Sequence, residues 1–238
     1  MRRVFLLATF FALAAASATA ATQQEVSFKT DDGVLITGQL YLPGRPGPGI
    51  VLVHALSRTR EDWHAAALRL ADAGFVVLAI DLRGHGASGP LPEGTSLEDL
   101  TPMLADVKAA RAFLAGRREA VPGKVGIGGA SIGANLAILV AAADPTVKSL
   151  VALSPGIDYR NLRPDAALKK YGERPALVVA SQEDTYAANS ARQLAVGAPG
   201  VGIRDLRILN GAGHGTTMLT RQPDLVSSLV DWFRRTLL

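Results

Sequence analysis

A single serine stands among glycines in Gly129-Ala130-Ser131-Ile132-Gly133, where the apolar run KVGIGG gives way to the alanine-rich ANLAIL. A serine hydroxyl is a weak nucleophile unless a base within hydrogen-bond reach takes its proton and an acid fixes that base. The G-x-S-x-G pattern falls where a strand-like run passes directly into a helix-like one. Such a sharp turn lifts a nucleophile above a sheet, and the flanking glycines remove side chains that would clash there. A helix starting at Ser131 also offers unpaired N–H groups and its positive dipole end to negative charge developing on a substrate oxygen. The backbone N–H of Ile132 is the first expected oxyanion donor.

Two other readings compete for this segment. As a dinucleotide-binding loop, GIGGAS lacks its third glycine, replaced by Ser131, and no Asp or Glu lies near residue 150 to hold a ribose. As plain structure, Ser131 would cap the helix while the glycines allow tight packing.

The base must come from four histidines. His64 lies in an amphipathic segment beside Trp63, a structural or solvent-facing place. His54 ends one strand-like run and His85 follows another in DLRGHGASG. His214 stands in NGAGHGTT directly after the last strand-like run, where glycines can present an imidazole to the strand ends, which makes it the expected base. The acid should follow an intervening strand. Asp184 in PALVVASQEDTY fits, with Glu183 one residue away and Asp158 in SPGID as competitors. The chain order Ser131, Asp184, His214 puts all three at the carboxyl ends of strands, where open α/β sheets bind ligands.

The elements that must position these residues follow from periodicity. EVSFKT and VLITGQLYLP around the turn DDG suggest a β-hairpin from Glu25 to Leu42, and GRPGPG is expected to be a loop. IVLVHA, FVVLAIDL, KVGIGG, SLVALS, PALVVAS and RDLRILN read as strands, the apolar ones buried on both faces. Helical patterns run from Glu61 to Ala73, Leu97 to Gly116, Ser131 to Ala143, near Asn189 to Val196, and Pro223 to Leu237. This alternation predicts an α/β fold, a mostly parallel sheet of about eight strands with helices on both faces. Gly156 to Arg174 is the one sizeable insertion, enough for a short flap and not for a large cap.

Composition narrows the function classes. With 48% hydrophobic and 19% charged residues the chain is expected to be globular. The absence of cysteine excludes disulfides, thiol nucleophiles and thiolate metal sites. Arg2 and Arg3 before the apolar run Val4 to Ala16, then small residues at Ala18 and Ala20, read as a cleavable export signal over residues 1–20. One catalytic domain would then occupy residues 21–238, in a periplasmic or secreted protein without stable membrane association. Setting aside Arg2 and Arg3 from 25 basic residues leaves 23 against 21 acidic ones, a scattered +2 that gives no case for nucleic acid.

Together GASIG, VLVHALSRTREDW, DLRGHGASG, Asp184 and His214 resemble the α/β-hydrolase superfamily over nearly all of the chain beyond residue 20. The likeness is greatest to small capless enzymes similar to dienelactone hydrolases and acyl esterases, including the catalytic domains of prolyl-oligopeptidase-type peptidases. It implies an α/β-hydrolase fold, a second oxyanion donor at the backbone N–H of Leu56, a loop-shaping role for His54, and structural roles for Asp81, Arg83 and His85. Two departures stand out: His54-Ala55 replaces the usual His-Gly, and those dienelactone hydrolases use cysteine where Ser131 stands. The expected activity is cleavage of small-molecule carboxylic esters through an acyl-enzyme, with no metal or organic cofactor. Peptide or amide hydrolysis with the same triad, and a non-catalytic binding role, are the alternatives.

Overall fold

Strands apolar on both sides need cover on both sides, and the computed structural model meets that need with two helical layers about one sheet. It describes residues 21–196 and 204–238, and the leader expected over residues 1–20 lies outside the described residues. The strands are β1 (Thr22–Lys29), β2 (Leu35–Leu42), β3 (Gly47–Val53), β4 (Val76–Ile80), β5 (Ala120–Ala130), β6 (Val147–Leu153), β7 (Ala176–Ser181) and β8 (Arg204–Leu209). The helices are α1 (His64–Asp72), α2 (Leu104–Ala115), α3 (Ile132–Ala143), α4 (Asp165–Tyr171), α5 (Thr185–Val196), α6 (Thr217–Arg221) and α7 (Pro223–Leu237).

The eight strands lie in the order β1-β2-β4-β3-β5-β6-β7-β8. β1 pairs with β2, and β2 with β4, antiparallel; every pairing from β4 through β8 is parallel. Alternate residues of each strand feed opposite layers. Val51 and Val53 pack with Val107, Leu114, Leu136 and Ile138 of α2 and α3, whereas Ile50 and Leu52 pack with Leu70, Trp232 and Phe233 of α1 and α7. Among the described residues no helix is long and apolar enough to cross a membrane.

The expected architecture is present, with five local corrections. Gly47 to Gly49 of the expected loop GRPGPG belong to β3. Pro48, which has no N–H, sits where the β3–β5 register shifts between Gly47 and Gly49, a bulge that needs no ladder donor from it. The helix expected from Leu97 begins instead as a 3₁₀ turn at Thr101–Met103 followed by α2, with Pro102 in its first turn and the Asp99 carboxylate accepting the Thr101 N–H at 2.9 Å. Helix α5 starts at Thr185, earlier than Asn189, because the Asp184 carbonyl accepts the Ala188 N–H at 2.8 Å. The hairpin strands extend to Thr22, and two short helices, α4 and α6, were not anticipated.

The turn from β5 into α3 depends on the absence of two side chains. A Cβ on Gly129 would lie 2.0 Å from the Gly133 carbonyl oxygen, and one on Gly133 would lie 2.4 Å from that of Val53. Gly133→Ala is therefore expected to lower stability by about 3 kcal/mol, read as a fall in thermal midpoint. The control is Gly116→Ala, at φ −82° with nothing nearer than 3.6 Å, which should stay within about 0.5 kcal/mol of the parent or gain slightly.

Candidate active site

Ser131 occupies the residue between β5 and α3 with φ 55° and ψ −118°, a conformation that costs of order 1–3 kcal/mol in a non-glycine residue. Two backbone bonds hold it there: its N–H donates to the Leu153 carbonyl at 2.8 Å and its own carbonyl accepts the Ala134 N–H at 2.9 Å. Its side chain makes no capping hydrogen bond to the helix, so the capping reading fails. Instead Ser131 lines a cleft of about 410 Å³ together with Leu56, Asn135, Ser154, Tyr159 and His214.

His214 is presented by the turn after β8, where Gly211, Gly213 and Gly215 all have positive φ. Its Nδ1 lies 2.5 Å from Asp184 Oδ2. A carboxylate can only accept, so Nδ1 carries the proton and Nε2 is left as an acceptor. The three candidate acids separate cleanly. Asp184 reaches the imidazole; Asp158 is exposed and pairs with Arg163 at 2.7 Å. Glu183 props the histidine loop, its carboxylate accepting the Ser181 hydroxyl at 2.6 Å and the Gly211 N–H at 2.8 Å. Those bonds hold the Glu183 carboxyl below the usual range.

The same loop is tied down by a residue that sequence reasoning missed. Ser154, buried and itself at φ 50°, accepts the Gly215 N–H on its Oγ at 2.9 Å. Asn135 was missed as well: its Nδ2 donates to the Leu162 carbonyl and its Oδ1 accepts the Gly156 N–H, both at 2.9 Å. A lone asparagine in the apolar segment IGANLAIL and a serine closing the strand SLVALS were the available signals, since buried polar groups need partners.

On the other side of the cleft, the Ile132 N–H is in the first turn of α3, where a helix leaves donors unpaired. Leu56 N–H has no hydrogen-bond partner among the described residues. Its peptide is held from behind: the Ala55 carbonyl accepts from His54 Nδ1 at 2.7 Å and from the Arg58 N–H at 3.2 Å, while His54 Nε2 accepts the Leu82 N–H at 2.9 Å. Burial pushes the His54 imidazole down to about 4, which keeps it neutral as both bonds require. The methyl of Ala55 is accommodated because the left-handed residue of this loop is Ser57, at φ 59°.

The turn after β4 has the structural character expected of it. Asp81 accepts the Arg60 N–H and Nη1 at 2.8 Å and the Ala87 N–H at 3.0 Å. Arg83, fully buried, donates to Asp106 on α2 and to Asp32 in the β1–β2 turn. His85 bonds within this turn and to Ser57, and His64 pairs with the Tyr41 hydroxyl away from the cleft. No group of three or more His, Asp and Glu among the described residues is arranged to hold a metal ion.

Comparison with known proteins gives the family and the fold. The family model described as serine aminopeptidase, S33, matches residues 44–174. Thiohydrolase apmlB of Arthrinium phaeospermum is 31% identical over 151 residues, covering 62% of this chain and 48% of its own length. Thiohydrolase aneE of Aspergillus aculeatus is 30% identical over 167 residues, covering 67% and 51%. The chain thus spans about half the length of these curated relatives. An esterase from Pyrococcus furiosus superposes with a TM-score of 0.78 at 19% identity, covering 91% of this chain and 93% of that one. A dienelactone hydrolase from Anabaena variabilis gives 0.73 at 21% identity, covering 92% and 100%, and both share the fold.

Asn135→Leu would leave the Gly156 N–H without a partner and the Leu162 carbonyl with only the Tyr159 N–H at 3.3 Å, at a cost of about 2 kcal/mol. The expected readout is faster limited proteolysis within residues 156–174, mapped by mass spectrometry; unchanged cleavage would contradict the bridging role.

Proposed function

We propose that this chain, which belongs to the serine aminopeptidase S33 family of the α/β-hydrolases, is a serine hydrolase that cleaves carboxylic esters or thioesters of small molecules. The reading rests on one juxtaposition: a strained serine with no capping bond opens on the same cleft as a histidine paired to a carboxylate at 2.5 Å. His214 Nε2 takes the proton of Ser131 Oγ, the oxygen attacks the acyl carbon, and the N–H groups of Ile132 and Leu56 hold the oxyanion. His214 then protonates the leaving alcohol or thiol, and a water it deprotonates releases the acid from the acyl-enzyme. Asp184 fixes the tautomer and stabilises the imidazolium. No cofactor enters any step.

Esters are preferred over peptides because of the charges around the cleft. An aminopeptidase must neutralise a substrate ammonium, yet among the described residues lining this cleft there is no Asp or Glu, and the carboxylate of Asp62 behind it is already paired with Arg58 at 2.7 Å. Thioesters are included because the curated relatives are named thiohydrolases. The peptidase reading keeps one point in its favour, the description of the family itself.

A fluorophosphonate probe is expected to label wild-type protein at Ser131 and to leave Ser131→Ala unlabelled. Turnover of p-nitrophenyl and thiol-ester substrates should exceed that of an amino-acid p-nitroanilide. Asp184→Asn should lower turnover by about 10³–10⁴, whereas Asp158→Asn should leave it within about threefold. Folded protein that neither labels nor turns over any substrate would instead indicate a binding protein.

We also propose that residues 1–20 are removed on export, giving a periplasmic or secreted protein of one catalytic domain without stable membrane association. N-terminal sequencing of the mature protein should begin at Ala21; a retained Met1 would refute it.

A further inference from the structure

The peptide that carries the Leu56 N–H is fixed on its carbonyl side by His54, but its orientation also depends on the next peptide, Leu56–Ser57. That peptide sits at a left-handed residue, Ser57 at φ 59°, where a non-glycine chain has no intrinsic preference to stay. Its N–H is held by one atom, His85 Nε2, at 3.1 Å. His85 comes from a different loop, the turn after β4, and its own ring is set by Nδ1, 3.0 Å from the Arg83 carbonyl. A carbonyl can only accept, so Nδ1 is protonated and Nε2 is a lone-pair acceptor aimed at Ser57.

The turn that carries the ring has little freedom. The His85 N–H donates to the Leu82 carbonyl, the Ser88 N–H donates to the His85 carbonyl, and a Cβ on Gly86 would lie 2.1 Å from Asp81 Oδ2. The His54 and His85 rings lie 5.1 Å apart, one fixing the peptide before Leu56 and the other the peptide after it. Without the second bond, only the two bonds to the Ala55 carbonyl set the Leu56 N–H, and the left-handed turn at Ser57 that follows it is no longer held.

We propose that His85 is a positioning residue of the acyl-transfer reaction: through the Ser57 N–H it holds the Leu56 N–H in place for the transition-state oxyanion. The inference rests on the serine-hydrolase reading above and adds to it a residue that touches no substrate. An oxyanion donor acts on the transition state more than on the bound ester, so its misplacement lowers kcat and leaves KM nearly unchanged. Gln at 85 can bring an uncharged acceptor to the Ser57 N–H; Leu cannot accept, and Asn is too short to reach.

The test is ester kinetics on the full chain with His85→Gln, His85→Leu and His85→Asn, alongside thermal melts. Leu and Asn should lower kcat by about 10–100-fold with KM within about twofold, and Gln should recover most of the loss. The Asn variant, polar on a part-exposed turn, carries the comparison with Gln if the Leu variant does not fold. Equal kcat for Gln and Asn, a Leu variant with wild-type kcat, or a loss confined to KM would each overturn the proposal. Failure of the underlying reading looks different: wild-type protein itself would then show no label at Ser131 and no turnover.

Discussion

Backbone contact at one point organises this molecule. Gly133, in the first turn of α3, lies so close to the end of β3 that an added Cβ would fall 2.4 Å from the Val53 oxygen and 2.5 Å from the His54 oxygen. Gly129 makes the same demand within the turn. Because the helix sits directly on the end of the neighbouring strand, the Ser131 turn and the loop after β3 are held side by side. Ile132 and Leu56 thereby face one cleft from two different elements. Any side chain at 133 would push α3 off the sheet and separate them, so packing and the geometry of the proposed oxyanion site rest on the same missing atoms.

The remaining loops at this end of the sheet are fixed by polar side chains, since a loop beyond the last ladder bond must find other partners for its N–H and C=O groups. His54 bridges the loops after β3 and β4. Ser181 and Glu183 take the N–H groups of Ala212 and Gly211, and Ser154 takes that of Gly215, so the turn carrying His214 is anchored at three donors, two before the imidazole and one after it. Each bond to a hydroxyl adds about 0.5–1.5 kcal/mol to net stability, but an unpartnered buried donor would cost about 1–3 kcal/mol. Orientation is the larger gain, because a glycine-rich turn has no rotational preference of its own.

Much of this was legible in the sequence, and the limits have physical causes. Continuous apolar runs such as IVLVHA and FVVLAI mark strands buried on two faces, and the clean amphipathic period from Pro223 onward fixed α7 to the residue. The Ser131, Asp184 and His214 positions were readable because each follows a strand. What the strand pattern alone left open was where neighbouring side chains point. Glu183 and Asp184 are neighbours in sequence and point at different partners, one at the loop backbone and the other at the imidazole. Pro48 looked incompatible with a strand until the bulge beside it was visible. Asn135 and Ser154 carry no motif, and their partners lie 21 to 61 residues away in sequence.

Backbone strain shows the same division of labour. Among the described residues five non-glycine positions have positive φ: Ser57, Ser131, Ser154, Arg160 and Asn161. Ser131 and Ser154 line the cleft, Ser57 stands between its lining residues Leu56 and Arg58, and the other two follow Tyr159 in the segment that Asn135 holds against α3. Left-handed turns elsewhere are made by glycine, as at Gly33, Gly94 and Gly123, where the space around the residue is open. Strain of about 1–3 kcal/mol per residue persists only where surrounding bonds over-determine the conformation. Each strained serine has such bonds: Ser57 to His85, Ser131 to Leu153, Ser154 to Val179. A fold that needed these turns only as connections could have used glycine at all five positions. Keeping side chains there makes sense where those side chains, or the peptides beside them, face the cleft.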